Sequence, residues 1–461
     1  LVEAAVTEHP DLDTAGLGGH PRALTTLFFT ELWERFSYYG MRAILVLYMV
    51  APASEGGLGF DMKLSAQIYS TYTMLVYMSS IPGGYIADTF IGSKMAVLIG
   101  GIIIACGHFS MAIPSIYAFY AGLALIVMGT GLLKPNISTM LGSLYAPGDH
   151  RRDGGFSIFY MGINIGAAIA PIVCGFLAQS TEFKSMLTKW GLEATGSWHW
   201  GFAAAGVGMI FGLVQYLAHR ERLRHVGLKP AERKQREPEM AVSGPLSKEE
   251  WLRLGAIGIL FVFTLMFWAV YEQGGSSLNV FADKLTDCRM FGWQFPSSWL
   301  QSLSAIYIIF LAPIYSAMWL KLGDKEPSSP AKFTYGLIFL AVGIGLMIPA
   351  SMLAATDKVS PLWLTFVYFF MCVGEMCLSP VGLSTVTKLA PARFVAMTMG
   401  VWYLAASLGN LLAGMLAAQF NMNSAQAMVS LFGGMTAAVL LGAVVLALLT
   451  PKCRQLMGGI K

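Results

Sequence analysis

Residues 24–50 read LTTLFFTELWERFSYYGMRAILVLYMV, and the fold turns on what this stretch can be. It is apolar at both ends and longer than the roughly 20 residues that cross a bilayer as a helix, yet Glu31, Glu34, Arg35 and Arg42 lie inside it. At about 100° per residue, Glu31, Glu34, Arg35, Tyr38 and Arg42 fall within about 60° of one line, with Tyr39 just beside it and Trp33 and Phe36 pointing away. An ionisable group at the centre of a membrane helix costs roughly 2.5–3.5 kcal/mol on insertion scales, so the stripe must face a bundle interior or a water-filled cavity. Glu31 and Arg35 are spaced i, i+4 and pair along the helix. A purely structural, self-neutralising network is the alternative, but apolar packing stabilises as well as buried ion pairs do. A path for protons or charged solutes accounts for the stripe better.

The rest of the chain agrees with a membrane solvent. Of its 461 residues 56% are hydrophobic and only 12% charged, against about 25% charged in soluble domains. The 50 glycines fit close helix approach in lipid. Spans are predicted at about 24–50, 65–88, 95–113, 116–141, 155–178, 199–218, 253–273, 298–320, 332–352, 361–387, 396–418 and 427–449, twelve in two groups of six. This predicts an all-α membrane protein: an N-terminal tail over 1–23, a bundle over 24–218, a charged proline-containing linker over 219–250, a second bundle over 251–450 and a tail over 451–461. No signal peptide is read, so the first span serves as the insertion signal. Lys and Arg concentrate in the linker, at Arg151 and Arg152 and at Lys452 and Arg454, which places both termini in the cytoplasm of a multi-pass protein of the cytoplasmic (inner) membrane. Two six-helix halves joined by a basic loop predict the major facilitator fold, with its site near the midplane between the halves. The segment GGYIADTFIGSKMAV, with Gly84, Asp88, Gly92 and Lys94, resembles the signature loop of that superfamily.

Further charges stand where lipid should exclude them. Lys134, in LIVMGTGLLKPNIS, has no acid within helical reach and needs a partner on another helix or a ligand. Glu272 ends FVFTLMFWAVYEQGG, one turn beyond Trp268, and Glu375 sits in FFMCVGEMCLSPVG without a local base. The intramembrane charge is net positive in the first half and negative in the second. A small zwitterion would put its carboxylate toward the first and its ammonium toward the second. Asn164, in FYMGINIGAAIAP, suits close packing or a ligand hydrogen bond; Tyr77, Trp268 and Trp402 suit packing or an apolar pocket. The six cysteines form no CxxC pair or metal-ligand spacing and read as isolated apolar residues. No HExxH, GxSxG or phosphate-binding loop appears, and no loop holds a nucleotide domain. The sequence therefore predicts a carrier, not an enzyme or a primary pump, with no metal or cofactor and no nucleic-acid partner.

At these residues the chain resembles the proton-dependent oligopeptide transporter family. ELWERFSYYGMR matches its ExxERFxYY pattern at Glu31, Glu34, Arg35, Phe36, Tyr38 and Tyr39, and FYMGINIGA matches its fifth-helix signature. Lys134 before Pro135, WAVYEQGGSSLNVFAD around Glu272 and GEMCLSPVGLSTVTKLAP around Glu375 are also similar, over about residues 24–450. The resemblance implies proton-coupled import of di- and tripeptides by a protein acting as a monomer, with another solute on the same scaffold (nitrate or a drug-like compound) as the alternative. It implies that Glu31, Glu34, Arg35, Arg42, Lys134 and Glu272 couple proton movement. Arg35 would lie near the peptide carboxylate, Arg42, Lys134 and Glu272 would form a shifting ion-pair set that reports occupancy to the gates, Lys134 and Ser304 would also line the substrate site, and Glu375 with Asn164 would hold the amino terminus. Tyr38, Tyr39, Tyr77, Trp268 and Trp402 would shape the pocket. Two departures stand out. Ser304 and Ala305 occupy the place of an Asn-Pro common in relatives, removing the expected amide at the substrate. The linker also lacks the two extra helices of many bacterial relatives.

Overall fold

The protein, described as a computed structural model, is seen at residues 14–145, 149, 151–228, 246–290, 292–391 and 395–458. Residues 229–245 of the expected linker, and 1–13 and 459–461 of the tails, lie outside the described residues. The chain is almost entirely helical. Helices α1 (Arg22–Val50), α2 (Met62–Met78), α3 (Ser80–Ile86), α4 (Ser93–Met111), α5 (Ile116–Gly142), α6 (Arg152–Gln179), α7 (Thr181–Lys189) and α8 (Ser197–Ala218) precede the linker. After it come α9 (Lys248–Tyr271), α10 (Ser277–Leu285), α11 (Ser302–Leu322), α12 (Ser329–Gly345), α13 (Met347–Leu353), α14 (Leu362–Leu389), α15 (Val395–Ala417) and α16 (Ala425–Leu456).

Ten spans among the described residues are long and apolar enough to cross a membrane. The two predicted spans outside that set are α1, interrupted by its charges, and α2, which stops at Ser79 before continuing as α3. Two short helices, α7 and α10, and a two-stranded ribbon of β1 (Arg289–Met290) with β2 (Trp293–Gln294) occupy stretches where the sequence reading placed only loop. The final helix runs to Leu456, beyond its expected end near 449.

Two compact units are present. The first comprises Leu1–Ile44 and Met78–Glu239, the second Leu45–Tyr77 and Met240–Lys461. In the first, α4 and α5 approach so closely that a Cβ on Gly100 would meet the Gly129 carbonyl, and one on Gly129 the Gly100 carbonyl. Small residues thus replace side-chain interdigitation with backbone contact, the usual device for helices in lipid. Helix α1 packs on α6 by the same means: Gly162 faces Phe28, and Gly166 faces the Leu32 carbonyl and the Arg35 side chain. The opposite face of α1 sends Trp33 against Phe211 of α8, ring centroids 5.2 Å apart, so the polar stripe turns away from that contact. Just before α1, His20 Nδ1 shares a hydrogen bond of 2.9 Å with Tyr145 Oη beyond the end of α5. Burial pushes the Tyr145 phenol up to about 12.

In the second unit, α9 starts on a capping box in which Ser247 Oγ accepts from the Glu250 amide and Glu250 Oε2 accepts from the Ser247 amide. Two orphan helix donors are satisfied locally. Helix α14 lies against α12 with Gly374 facing the Gly336 carbonyl. Helix α2 joins this unit through Ser407 of α15, whose Oγ donates to the Met74 carbonyl at 3.1 Å. At the end of α9 the chain turns through Glu272–Gly275. That turn is pinned by Gln273 Nε2 donating to the Ala413 carbonyl (2.9 Å) and Tyr368 Oη donating to the Gly274 carbonyl (3.3 Å).

Candidate functional site

Among the described residues, each unit holds a cluster of buried ionisable side chains that the sequence singles out. In the first, Arg35 Nε donates to Glu34 Oε2 at 2.5 Å and lies 3.1 Å from Glu31 Oε1. All three side chains are at most 5% exposed. The i, i+4 pair expected from the sequence is present, and the adjacent Glu34 shares the same nitrogen. Sharing leaves atoms over: Arg35 Nη2, Glu31 Oε2 and Glu34 Oε1 are buried with no hydrogen-bond partner among the described residues. A buried polar atom left unpaired costs about 1–3 kcal/mol, more when charged.

Around this triad Tyr38 stands between two cations, its ring 5.2 Å from the Arg35 guanidinium and 6.0 Å from that of Arg42. Tyr39 packs edge-on against Tyr38 at 5.2 Å. Lys134 of α5 acts electrostatically on Glu31, so the orphan base of the sequence belongs to this cluster. Asn164 is buried on α6, two residues from Gly166. Its amide nitrogen donates to the Tyr160 carbonyl of its own helix at 2.9 Å, leaving its side-chain oxygen for other partners.

In the second unit Glu375 is 8% exposed. Its hydrogen-bond partner among the described residues is Tyr271, whose Oη donates to Oε2 at 2.5 Å; no ion pair to a base is found there among them. Glu272, buried in the turn after α9, adds negative potential at Glu375. Tyr271 is held by Phe267 stacked at 5.5 Å and by Trp268 edge-on at 5.2 Å. Beside it, Cys372 Sγ donates to the Ser304 carbonyl at 3.4 Å. Ser304 therefore enters the cluster through its backbone.

Trp402 is buried against Phe333, ring centroids 6.3 Å apart, and over Gly382, which puts it in the packing between α15, α12 and α14. Tyr77 is half-buried near the end of α2. Two members of the second cluster escaped the sequence reading. In the sequence Tyr271 is one aromatic among several and Cys372 has the look of an isolated apolar residue, whereas its thiol makes a tertiary hydrogen bond. Their partners are 104 and 68 residues away, so no local pattern could have flagged them.

An all-α, multi-pass bundle with buried charges of both signs defines a membrane transporter of the major facilitator type. The sequence profile of the POT family matches residues 94–237 and 239–432, and the chain belongs to this family. It is 41% identical to an uncharacterised transporter of Bacillus subtilis, over 84% of this chain and 86% of that one. It is 36% identical to a peptide transporter of Yersinia enterocolitica, over 95% and 96%, and 36% identical to a di-/tripeptide transporter of Lactococcus lactis, over 84% and 87%. Among solved structures it is similar to a POT peptide transporter in complex with sulfate, at 39% identity and a TM-score of 0.86 over 98% of this chain and 99% of that one. A POT family transporter bound to 5-aminolevulinic acid gives 32% identity and a TM-score of 0.85 over 96% and 98%.

Proposed function

We propose that the protein is a proton-coupled symporter that imports di- and tripeptides by alternating access. The observation that carries the reading is the Arg35 guanidinium, shared by Glu31 and Glu34 and retaining a buried Nη2 with no hydrogen-bond partner among the described residues. In the empty carrier the Arg35 guanidinium pairs with Glu31 and Glu34. A peptide carboxylate competes for the guanidinium, and a carboxylate stripped of its cation in a dry interior takes up a proton. Peptide and proton then favour each other's binding, and linkage makes the effect reciprocal. Arg42, Lys134 and Glu272 complete the charge set that rearranges as the carrier changes state. Glu375, with Asn164, receives the peptide ammonium, while Tyr38, Tyr39, Tyr77, Trp268 and Trp402 bound its side chains. The proton is the coupling ion and no cofactor enters the scheme. The carrier works as a monomer in the lipid bilayer of the cytoplasmic membrane, with both termini inside.

The relatives named for peptide transport support the substrate class. A single anion such as nitrate would give Glu375 no cation to receive, which favours a two-ended solute. The test is di-alanine uptake into proteoliposomes with and without an inward proton gradient. Saturable uptake accumulated against a concentration gradient only when the proton gradient is present is expected. Uptake indifferent to the gradient, or not competed by other dipeptides, sinks the reading.

A further inference from the structure

The second cluster contains a hydroxyl to which the scheme above gives no part. Tyr271 Oη spends its proton on Glu375 Oε2 at 2.5 Å. Its other polar neighbour, Cys372 Sγ, is 4.0 Å away and directs its own proton to the Ser304 carbonyl at 3.4 Å. A phenol oxygen accepts hydrogen bonds as well as donating one, so with both nearby protons committed elsewhere the Tyr271 oxygen keeps acceptor capacity beside the carboxylate. Stacking on Phe267 and the edge contact with Trp268 fix the ring. The acceptor is thereby pre-organised, with little conformational freedom left to lose on binding. Ser304 adds its carbonyl to the Cys372 thiol but no amide.

We propose that Tyr271 is a ligand-binding and specificity-determining residue in this chain, its hydroxyl oxygen and the Glu375 carboxylate forming a two-acceptor cradle for a primary ammonium. The inference rests on the reading of Glu375 as the amino-terminal partner. One N–H of the ligand donates to Glu375 and a second to Tyr271 Oη, while the Tyr271 proton continues to orient the carboxylate. A site with two fixed acceptors demands two N–H donors of its ligand, and an analogue lacking one leaves a buried acceptor unpaired.

The experiment uses the full chain in liposomes and competes labelled Ala-Ala uptake with Ala-Ala, with its desamino analogue propionyl-alanine, and with Ala-Ala carrying one or two methyl groups on its amino nitrogen. Two methyl groups leave a single N–H, and about tenfold weaker competition is expected from the dimethyl than from the monomethyl compound. In Tyr271→Phe, which retains both ring contacts, half-saturation by Ala-Ala is expected about tenfold higher at an unchanged maximal rate, with propionyl-alanine unaffected. Equal competition by the mono- and dimethyl compounds in the unmodified protein overturns the proposal. So does a Tyr271→Phe variant whose half-saturation is unchanged, or one in which both probes weaken alike. Because the methylation series needs no variant, a poorly inserting Tyr271→Phe does not remove the test. Glu375→Gln separates the two layers: if it leaves the preference for a free amino group intact, the reading of Glu375 fails. If it abolishes the preference while the series shows no step at the second methyl group, only the role of Tyr271 falls.

Discussion

The two buried clusters solve the problem of charge in lipid in opposite ways. The first neutralises itself: Arg35 carries two carboxylates on one nitrogen, the three residues lie within about a helical turn of each other, and Lys134 comes in from α5. In the second, no ion pair to Glu375 is found among the described residues. Glu375 rests on a neutral phenol, with Glu272 adding charge of the same sign. A cluster that is already paired responds to a ligand by exchanging partners, which is what coupling to a proton requires. A carboxylate whose hydrogen-bond partner among the described residues is a hydroxyl gains a counter-charge when an ammonium arrives, which is what recognition requires. In the function proposed above, ammonium recognition therefore centres on Glu375, while Arg35 both meets the peptide carboxylate and couples its binding to a proton.

The largest effect is expected from substitution in the paired cluster. Glu34→Gln leaves Arg35 bonded to a neutral amide, and gradient-driven Ala-Ala accumulation in proteoliposomes is expected to vanish while counterflow exchange persists. Normal accumulation would end the distinction drawn between the clusters. Lys134→Ala is expected to abolish proton-driven uptake as well; a dependence on pH unchanged from the unmodified protein would remove Lys134 from the first cluster. Glu375→Gln is expected to act on affinity, raising half-saturation for Ala-Ala about tenfold or more through loss of a charged acceptor, with the proton dependence retained. If accumulation fails while binding, measured by calorimetry, is unchanged, the two roles are reversed.

Smaller effects come from the glycines that set each cluster against its neighbour. Gly166→Ala forces α6 away from the Leu32 carbonyl and Arg35, and Gly374→Ala forces α14 away from the Gly336 carbonyl. Each is expected to destabilise its unit by about 1–3 kcal/mol, the usual range for overpacking, read as a lower midpoint of thermal unfolding in detergent. The first is expected to impair coupling and the second affinity. Smallest is Ser247→Ala, which removes one half of the capping box and costs about 1 kcal/mol by the same assay, at the opposite end of α9 from Tyr271 and without effect on either function.

Much of the first cluster was legible because it obeys a local rule. Residues on one helix share a face at 3.6-residue spacing, so the positions of Glu31, Glu34, Arg35, Tyr38 and Arg42 along the chain are enough to define a stripe. The second cluster is assembled from α9, α11 and α14, and its geometry follows from tertiary packing that the sequence does not expose. Glu375 was visible as a charge out of place, whereas Tyr271 and Cys372 are ordinary members of apolar helices until their partners are seen. Most spans with strong apolar character lie within a few residues of their expected ends, the final helix, which continues to Leu456, being the exception. The short helices α7 and α10 went unseen because a helix of nine residues offers about two turns of periodicity, too few to distinguish from loop.

The bond between His20 and Tyr145 bears on how the entrance to α1 behaves in acid. With the phenol pushed up to about 12, Tyr145 keeps its hydrogen near neutrality and donates to Nδ1 where that nitrogen is bare; an Nδ1 that carries hydrogen donates to the phenol oxygen instead. Either protonation state of His20 sustains one bond across 125 residues of chain. The helix is therefore moored at its entrance by a contact whose donor and acceptor can exchange places, so the anchor does not depend on which partner carries the shared hydrogen.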